Sequence, residues 1–157
     1  MKKVVIYTDG ACSKNPGPGG WAAVLLYRGA EKKISGFEPE TTNNRMELKA
    51  VLEALLALKE PCDIALFTDS TYIQNAFEKG WIDNWISNGW KTVSKKDVEN
   101  QDLWQEIIDA VKIHNVSWKK VKGHSGDKYN SICDELARGA IKENTRPAKE
   151  NVSKRDE

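Results

Sequence analysis

The chain has 157 residues, 39% of them hydrophobic and 30% charged, and a formal net charge of +1. That length suits one domain with a buried core, and the near-neutral balance means that any case for a nucleic-acid partner rests on local patches rather than on a global basic excess. No run approaches the ~20 apolar residues of a membrane helix, the short apolar run after Met1 reads as a strand rather than a secretory signal, and Cys12, Cys62 and Cys133, widely spaced with no CxxC, fit a reducing, cytoplasmic setting.

In chain order, KKVVIYTD (2–9) reads as a strand and KNPGPGG (14–20) as turn punctuation. WAAVLLYR (21–28) is a second strand, too apolar to be half solvated, and a tight turn at Arg28-Gly29 leads to EKKISGFEPE (31–40), a third strand nearer an edge. The short connections predict an antiparallel meander. TTNNRMELKAVLEALLALKE (41–60) is a helix, capped by Thr42 or Asn43 and followed by Pro61. CDIALFTD (62–69) is a fourth strand, and the helix before it implies a crossover into parallel pairing. Residues 70–113 read as several helices broken around SNGWKTVSKKDVENQ (87–101). VSWKKV (116–121) is a fifth strand, KGHSGDKYN (122–130) a loop and SICDELARGAIKE (131–143) a last helix. The expected fold is α/β: a five-stranded mixed sheet, three antiparallel strands then parallel ones, flanked by helices. It occupies a domain over residues 1–142, with a charged, disordered tail over 143–157.

Four acids stand out. Two strands that read as buried each end in Thr-Asp, at Asp9 and Asp69, with no Lys or Arg beside the aspartate. Turn initiation explains either one singly. Glu47 heads the apolar stripe Val51, Ala54, Leu55 and Leu58, so it projects from the buried face of its helix, whereas Lys49 and Glu53 lie on another face. A first-turn carboxylate favouring the helix dipole is the plain alternative. Asp134 sits at the margin of the last helix's apolar stripe (Cys133, Leu136, Ala137, Ala140), where dipole compensation competes equally with function. If the first and fourth strands are neighbours, Asp9 and Asp69 meet at matched ends and the crossover helix carries Glu47 over them. At an effective dielectric of ~20, two carboxylates ~4 Å apart repel by about 4 kcal/mol, so several together call for divalent cations. Two Mg²⁺ balance four carboxylates, and an all-oxygen donor set favours Mg²⁺ or Mn²⁺ and in-line phosphoryl transfer. His124, between Gly123 and Gly126, is a candidate proton carrier, while His114 shows only the features of an ordinary helix-end histidine.

YTDGACSKNPGPGGWAAVL, TTNNRMELKAVLEAL, LFTDSTY, GWIDNWISNGWK and VKGHSGDKYNSICDELA together resemble, in order, the motifs of type 1 ribonuclease H, over residues 3 to 142. The resemblance implies a central five-stranded mixed sheet and endonucleolytic, metal-dependent hydrolysis of the RNA strand of RNA–DNA hybrids such as primers and R-loops, giving 5′-phosphate and 3′-hydroxyl ends. It implies that Asp9, Glu47, Asp69 and Asp134 hold two Mg²⁺ (Mn²⁺ substituting) and that His124 assists catalysis or product release. It further implies substrate contacts from Cys12, Asn15, Thr42, Asn43 and Asn44, which short polar side chains near a minor groove suit, since the 2′-hydroxyl distinguishes RNA from DNA. Trp81, Trp85 and Trp90 fall in a stretch resembling the family's substrate-gripping protrusion. There, Lys79, Lys91, Lys95 and Lys96 against Asp83 leave residues 79–96 at +3. This protrusion is less basic than is usual in the family, and Ser131 stands where an acid often precedes the last helix. No obligate protein partner is expected, and the chain is expected to be monomeric. Two other readings use the same residues. One is a DNA-cutting or strand-transferring relative. The other is a binding module with a decayed site, against which the four intact acids weigh.

Overall fold

The structure, a computed structural model, describes residues 1–121 and 127–145. Strands β1 (Lys2–Cys12), β2 (Gly17–Tyr27), β3 (Ala30–Thr41), β4 (Cys62–Thr68) and β5 (Asn115–Lys120) form one sheet in the order β3-β2-β1-β4-β5. The first three strands are antiparallel neighbours, and β4 pairs in parallel with both β1 and β5. The mixed five-stranded sheet of the sequence reading is therefore present. Arg28 (φ 48°) and Gly29 (φ 81°) turn the β2–β3 hairpin, both left-handed as a two-residue turn of type I′ requires.

Helix α1 (Asn43–Leu56) starts at Thr42, whose hydroxyl accepts from the Arg45 N–H at 3.2 Å, a side-chain cap of the expected kind. It ends at Leu56, short of the expected residue 60. Its buried stripe packs with Val4, Ile6, Leu25, Ile64 and Leu66 into the main core on one sheet face. Helices α2 (Thr71–Glu78), α3 (Trp81–Asn88) and α4 (Gln101–Ile113) lie on that side. Left-handed Gly80 and Gly89 bracket α3. The other face is covered by α5 (Lys128–Asn144), which seats Cys133 and Ala137 on Ala22 and Val24. Among the described residues no helix is long and apolar enough to cross a membrane.

Three sequence expectations change. The glycines of GPGG lie inside β2 rather than in a turn: a methyl at Gly20 would sit 2.1 Å from the Ala137 carbonyl oxygen, and one at Gly19 would sit 2.3 Å from the Thr41 side chain. Close approach of neighbours, not turning, demands glycine there. Helix α5 begins three residues earlier than expected, capped by Asp127, whose Oδ1 accepts from the N–H groups of Tyr129 and Asn130 (3.1 and 3.2 Å). The helix also runs through Asn144, past residue 142, and the remainder of the expected tail lies outside the described residues. His114, half-buried at the end of α4, is a joint and more than an ordinary helix-end residue. Its Nδ1 accepts from the Cys62 N–H at 3.0 Å, tying the end of α4 to the start of β4, and burial lowers its pKa.

Candidate active site

Parallel pairing of β1 with β4 ends in register at Tyr7 and Phe67, so continuing both chains by two residues brings Asp9 and Asp69 to the same edge. Between them comes α1. A methyl on Gly10 would stand 2.5 Å from the Glu47 nitrogen and 2.5 Å from the Met46 carbonyl carbon, so β1 at Gly10 is in direct contact with the helix backbone. That contact sets Glu47 beside Asp9. Each of Asp9, Glu47 and Asp69 offers a carboxylate oxygen, and these oxygens all lie within 4.8 Å of one another.

The electrostatics of this trio are unfavourable as they stand. Asp9 is only 8% exposed. Burial first, then the charges of Asp69 and Asp134, push its pKa up to about 7, although the Gly10 N–H donates to its Oδ1 at 2.9 Å. Glu47 is raised well above the ordinary glutamate value, again by burial first and then by Asp9 and Asp69. Its Oε1 is buried without a hydrogen-bond partner among the described residues, an arrangement that costs free energy unless a cation or proton arrives. Three clustered carboxylates, one orphaned oxygen and no sulfur or nitrogen donor in the set fit a hard divalent cation such as Mg²⁺ or Mn²⁺.

Asp134 is near this trio but outside it. On α5, its Oδ2 accepts a hydrogen bond from Arg138 Nε (3.0 Å) and lies 2.8 Å from Nη2 of the same guanidinium as an ion pair. His124 lies outside the described residues. Asp69 itself is anchored from behind: the buried Gln74 amide donates to the carbonyls of Thr68 and Lys119, 3.1 Å each, clamping β4 and β5 where Asp69 leaves the sheet.

The expected substrate residues divide. The Asn15 Oδ1 accepts from the Asn43 N–H at 3.0 Å, and Asn15, Thr42, Asn43 and Asn44 line one polar cavity of about 620 Å³. Asn43, Asn44 and the trio border a second cavity of about 360 Å³, so the two cavities adjoin at the asparagines. Cys12 differs: its thiol turns to the Thr41 carbonyl (3.4 Å) and it lines neither of these cavities. Trp81, Trp85 and Trp90 are half-buried and packed on the main core, with Trp85 against Trp90 (centroids 5.7 Å) and Trp104 (5.5 Å). Trp81 and Trp85 still line a groove of about 310 Å³ with Asn84 and Lys91. Lys91 is ion-paired with Asp97, which reduces the basic character expected of this stretch.

Sequence reasoning missed several supporting residues. Arg45 forms a two-pronged pair with Asp102 (3.0 and 2.9 Å) and donates to Asn100 Oδ1 (3.2 Å), locking the first turn of α1 to α4. Asn100 also borders the larger polar cavity. The one local signal was the spacing of Asp134 and Arg138, four residues apart on a helix face.

Against known families, the chain matches the RNase H model over residues 1–142. It is 62% identical over 143 residues to the ribonuclease H of Caldicellulosiruptor saccharolyticus, covering 91% of this chain and 99% of that one. Over 141 residues it is 60% identical to the ribonuclease H of Chlorobium luteolum, with 90% and 97% covered. The crystal structure of LC9-RNase H1, described as a type 1 RNase H with the type 2 active-site motif, superposes at TM-score 0.81 with 33% identity, covering 92% of this chain and 74% of that one. LC11-RNase H1, solved in complex with RNA/DNA hybrid, shares the fold at TM-score 0.65 and 21% identity, over 91% of this chain and 99% of that one. A family match spanning nearly all the described fold, with relatives this similar over almost their full length, means that the chain belongs to the type 1 ribonuclease H family of enzymes.

Proposed function

We propose that this ribonuclease H hydrolyses the RNA strand of RNA–DNA hybrids endonucleolytically, leaving 5′-phosphate and 3′-hydroxyl ends. Residues 1–142 act as the catalytic unit, as a monomer in the cytoplasm. The observation that carries the reading is the juxtaposition of the three clustered carboxylates with the asparagine-lined cavity: a cation-demanding site opens directly onto groups able to read a 2′-hydroxyl.

Asp9, Glu47 and Asp69, joined by Asp134, would hold two Mg²⁺ or Mn²⁺. Bound there, the ions supply charge neutralisation at the scissile phosphate and lower the pKa of the attacking water. The chain's own residues do the rest. Glu47, fixed by the contact of α1 with Gly10, and Asp69, fixed by the Gln74 clamp, keep the donor oxygens at set separations while substrate enters. Asn43 and Asn44 lie on the border between the two cavities, where they would take the RNA strand's 2′-hydroxyls. Asn15 and Thr42 would hold a phosphate of the DNA strand, with the backbone at Cys12 assisting. Trp81, Trp85 and Trp90 would offer their outer edges to the DNA backbone. His124 would move a proton to or from the departing oxygen.

The test is cleavage of an end-labelled hybrid with Mg²⁺ and with EDTA, beside single-stranded RNA, duplex RNA and duplex DNA. Metal-dependent cutting confined to the hybrid's RNA strand is expected. Equal cutting of duplex DNA would overturn the substrate assignment.

A further inference from the structure

We propose that Arg138 is a built-in competitor for the ion position beside Asp134, so that one ion enters the carboxylate set readily and a second enters only against this guanidinium. The inference rests on the reading of the four acids as ion ligands and says how unequally they are loaded.

Among the described residues, Asp9, Glu47 and Asp69 face one another with no cationic side chain among them, and Glu47 Oε1 has no hydrogen-bond partner. Asp134 is placed differently. Its Oδ2 is engaged by Arg138, one helical turn further along α5, through one hydrogen bond and one ion-pair contact, while among the described residues no hydrogen bond engages Oδ1. The charges of both residues reach into the cluster, since Asp134 and Arg138 act on Asp9 in opposite directions. As a surface pair between side chains 46% and 64% exposed, the bridge would add little to α5 on its own. Beside a cation site it has a second effect. A fixed positive charge shields the carboxylates from each other before any ion arrives, and opposes each ion afterwards. An ion that takes Oδ2 must displace the guanidinium, and one that takes Oδ1 must sit next to it. The bare trio and the capped Asp134 are thus unequal halves of one site.

Removing the guanidinium should loosen the ion-free protein and tighten its hold on the ion. The experiment is a substrate-free titration with Mn²⁺, read by calorimetry and by the electron paramagnetic resonance of the free ion. It compares the unaltered protein with Arg138→Met, Arg138→Lys and Lys142→Met, the last removing one positive charge from an exposed position on the same helix. Arg138→Met should tighten the weaker binding step by about two- to fivefold, the scale of a half-exposed ion pair. Arg138→Gln, should the Met variant fold poorly, carries the same expectation. Arg138→Lys and Lys142→Met should both stay at the level of the unaltered protein. Binding unchanged or weakened in Arg138→Met would overturn the inference, as would equal tightening in Lys142→Met, which would reduce the effect to net charge. If the unaltered protein and Asp9→Asn alike take up no Mn²⁺, the ion-ligand reading falls and the inference with it. If Asp9→Asn alone loses binding and Arg138→Met does not tighten it, only the inference falls.

Discussion

Replacing Asp9 by Asn should make the metal-free protein more stable, even though it removes a residue placed at the centre of the site. Carrying Asp9 from its ordinary 3.8 to about 7, at about 1.36 kcal/mol per pH unit, withdraws about 4 kcal/mol from the ion-free fold at pH 8. The sign follows from proton counts. Between pH 4 and 7 the folded state binds a proton at Asp9 that the unfolded chain has already released, so stability falls as pH rises through that window and then levels off. Asn keeps an oxygen to accept from the Gly10 N–H and never bears the charge. Relaxation of Glu47 and Asp69 absorbs part of the gain, so about 2–4 kcal/mol is expected at pH 8. The assay is urea denaturation in EDTA followed by tryptophan fluorescence, repeated near pH 3.5, where the gap should close. Millimolar Mg²⁺ should narrow it at pH 8, because only the unaltered site binds the ion well. A variant no more stable than its parent at pH 8, or a gap of equal size at both pH values, would refute the argument.

Two further outcomes follow from the packing. Gly10→Ala forces a methyl into the backbone of α1, 2.5 Å from two of its atoms. It should lower stability by about 1–3 kcal/mol and, by shifting Glu47, reduce kcat about 100-fold, measurable by urea melts and by hybrid cleavage on the same preparation. His114→Gln should lose about 1 kcal/mol at pH 7.5, where neutral His114 accepts from Cys62. Because burial lowers this imidazole's pKa in the fold, the contribution is complete above the unfolded value of about 6.5 and fades as pH falls through the folded one. The difference from the parent should therefore shrink on acidification, and a constant difference from pH 7.5 to 4.5 would count against the joint.

The trio was legible because its signals are physical and local. Apolar runs that end in an unpaired Asp are anomalous by themselves, and the stripe below Glu47 shows which way that side chain points. What escaped the sequence depends on partners far along the chain. His114 looked ordinary because its hydrogen-bond donor is Cys62, 52 positions away. The GPGG segment looked like a turn because glycine marks turns locally, and only the carbonyl of Ala137 reveals its role in a strand. Asp134 could be placed near the site but not relative to it, since a residue at the margin of a helical stripe can face either of two neighbours. Trp81 and Trp85, four residues apart, could be assigned to one helical face, but whether that face meets core or substrate depends on Trp104, which approaches from another helix.

The floor of glycine beneath α5 has a consequence for how this site is tuned. Because the Ala137 carbonyl rests on Gly20 with no side chain between, the height of the last helix above the sheet is set by the thickness of bare backbone. Asp134 rides on that helix one turn away, while Asp9 belongs to the sheet. The distance between Asp134 and Asp9 is therefore adjustable from β2, a strand that contributes no carboxylate to the trio. A change at Gly20 would act like a shim, lifting one wall of the site while leaving the carboxylate side chains themselves unaltered.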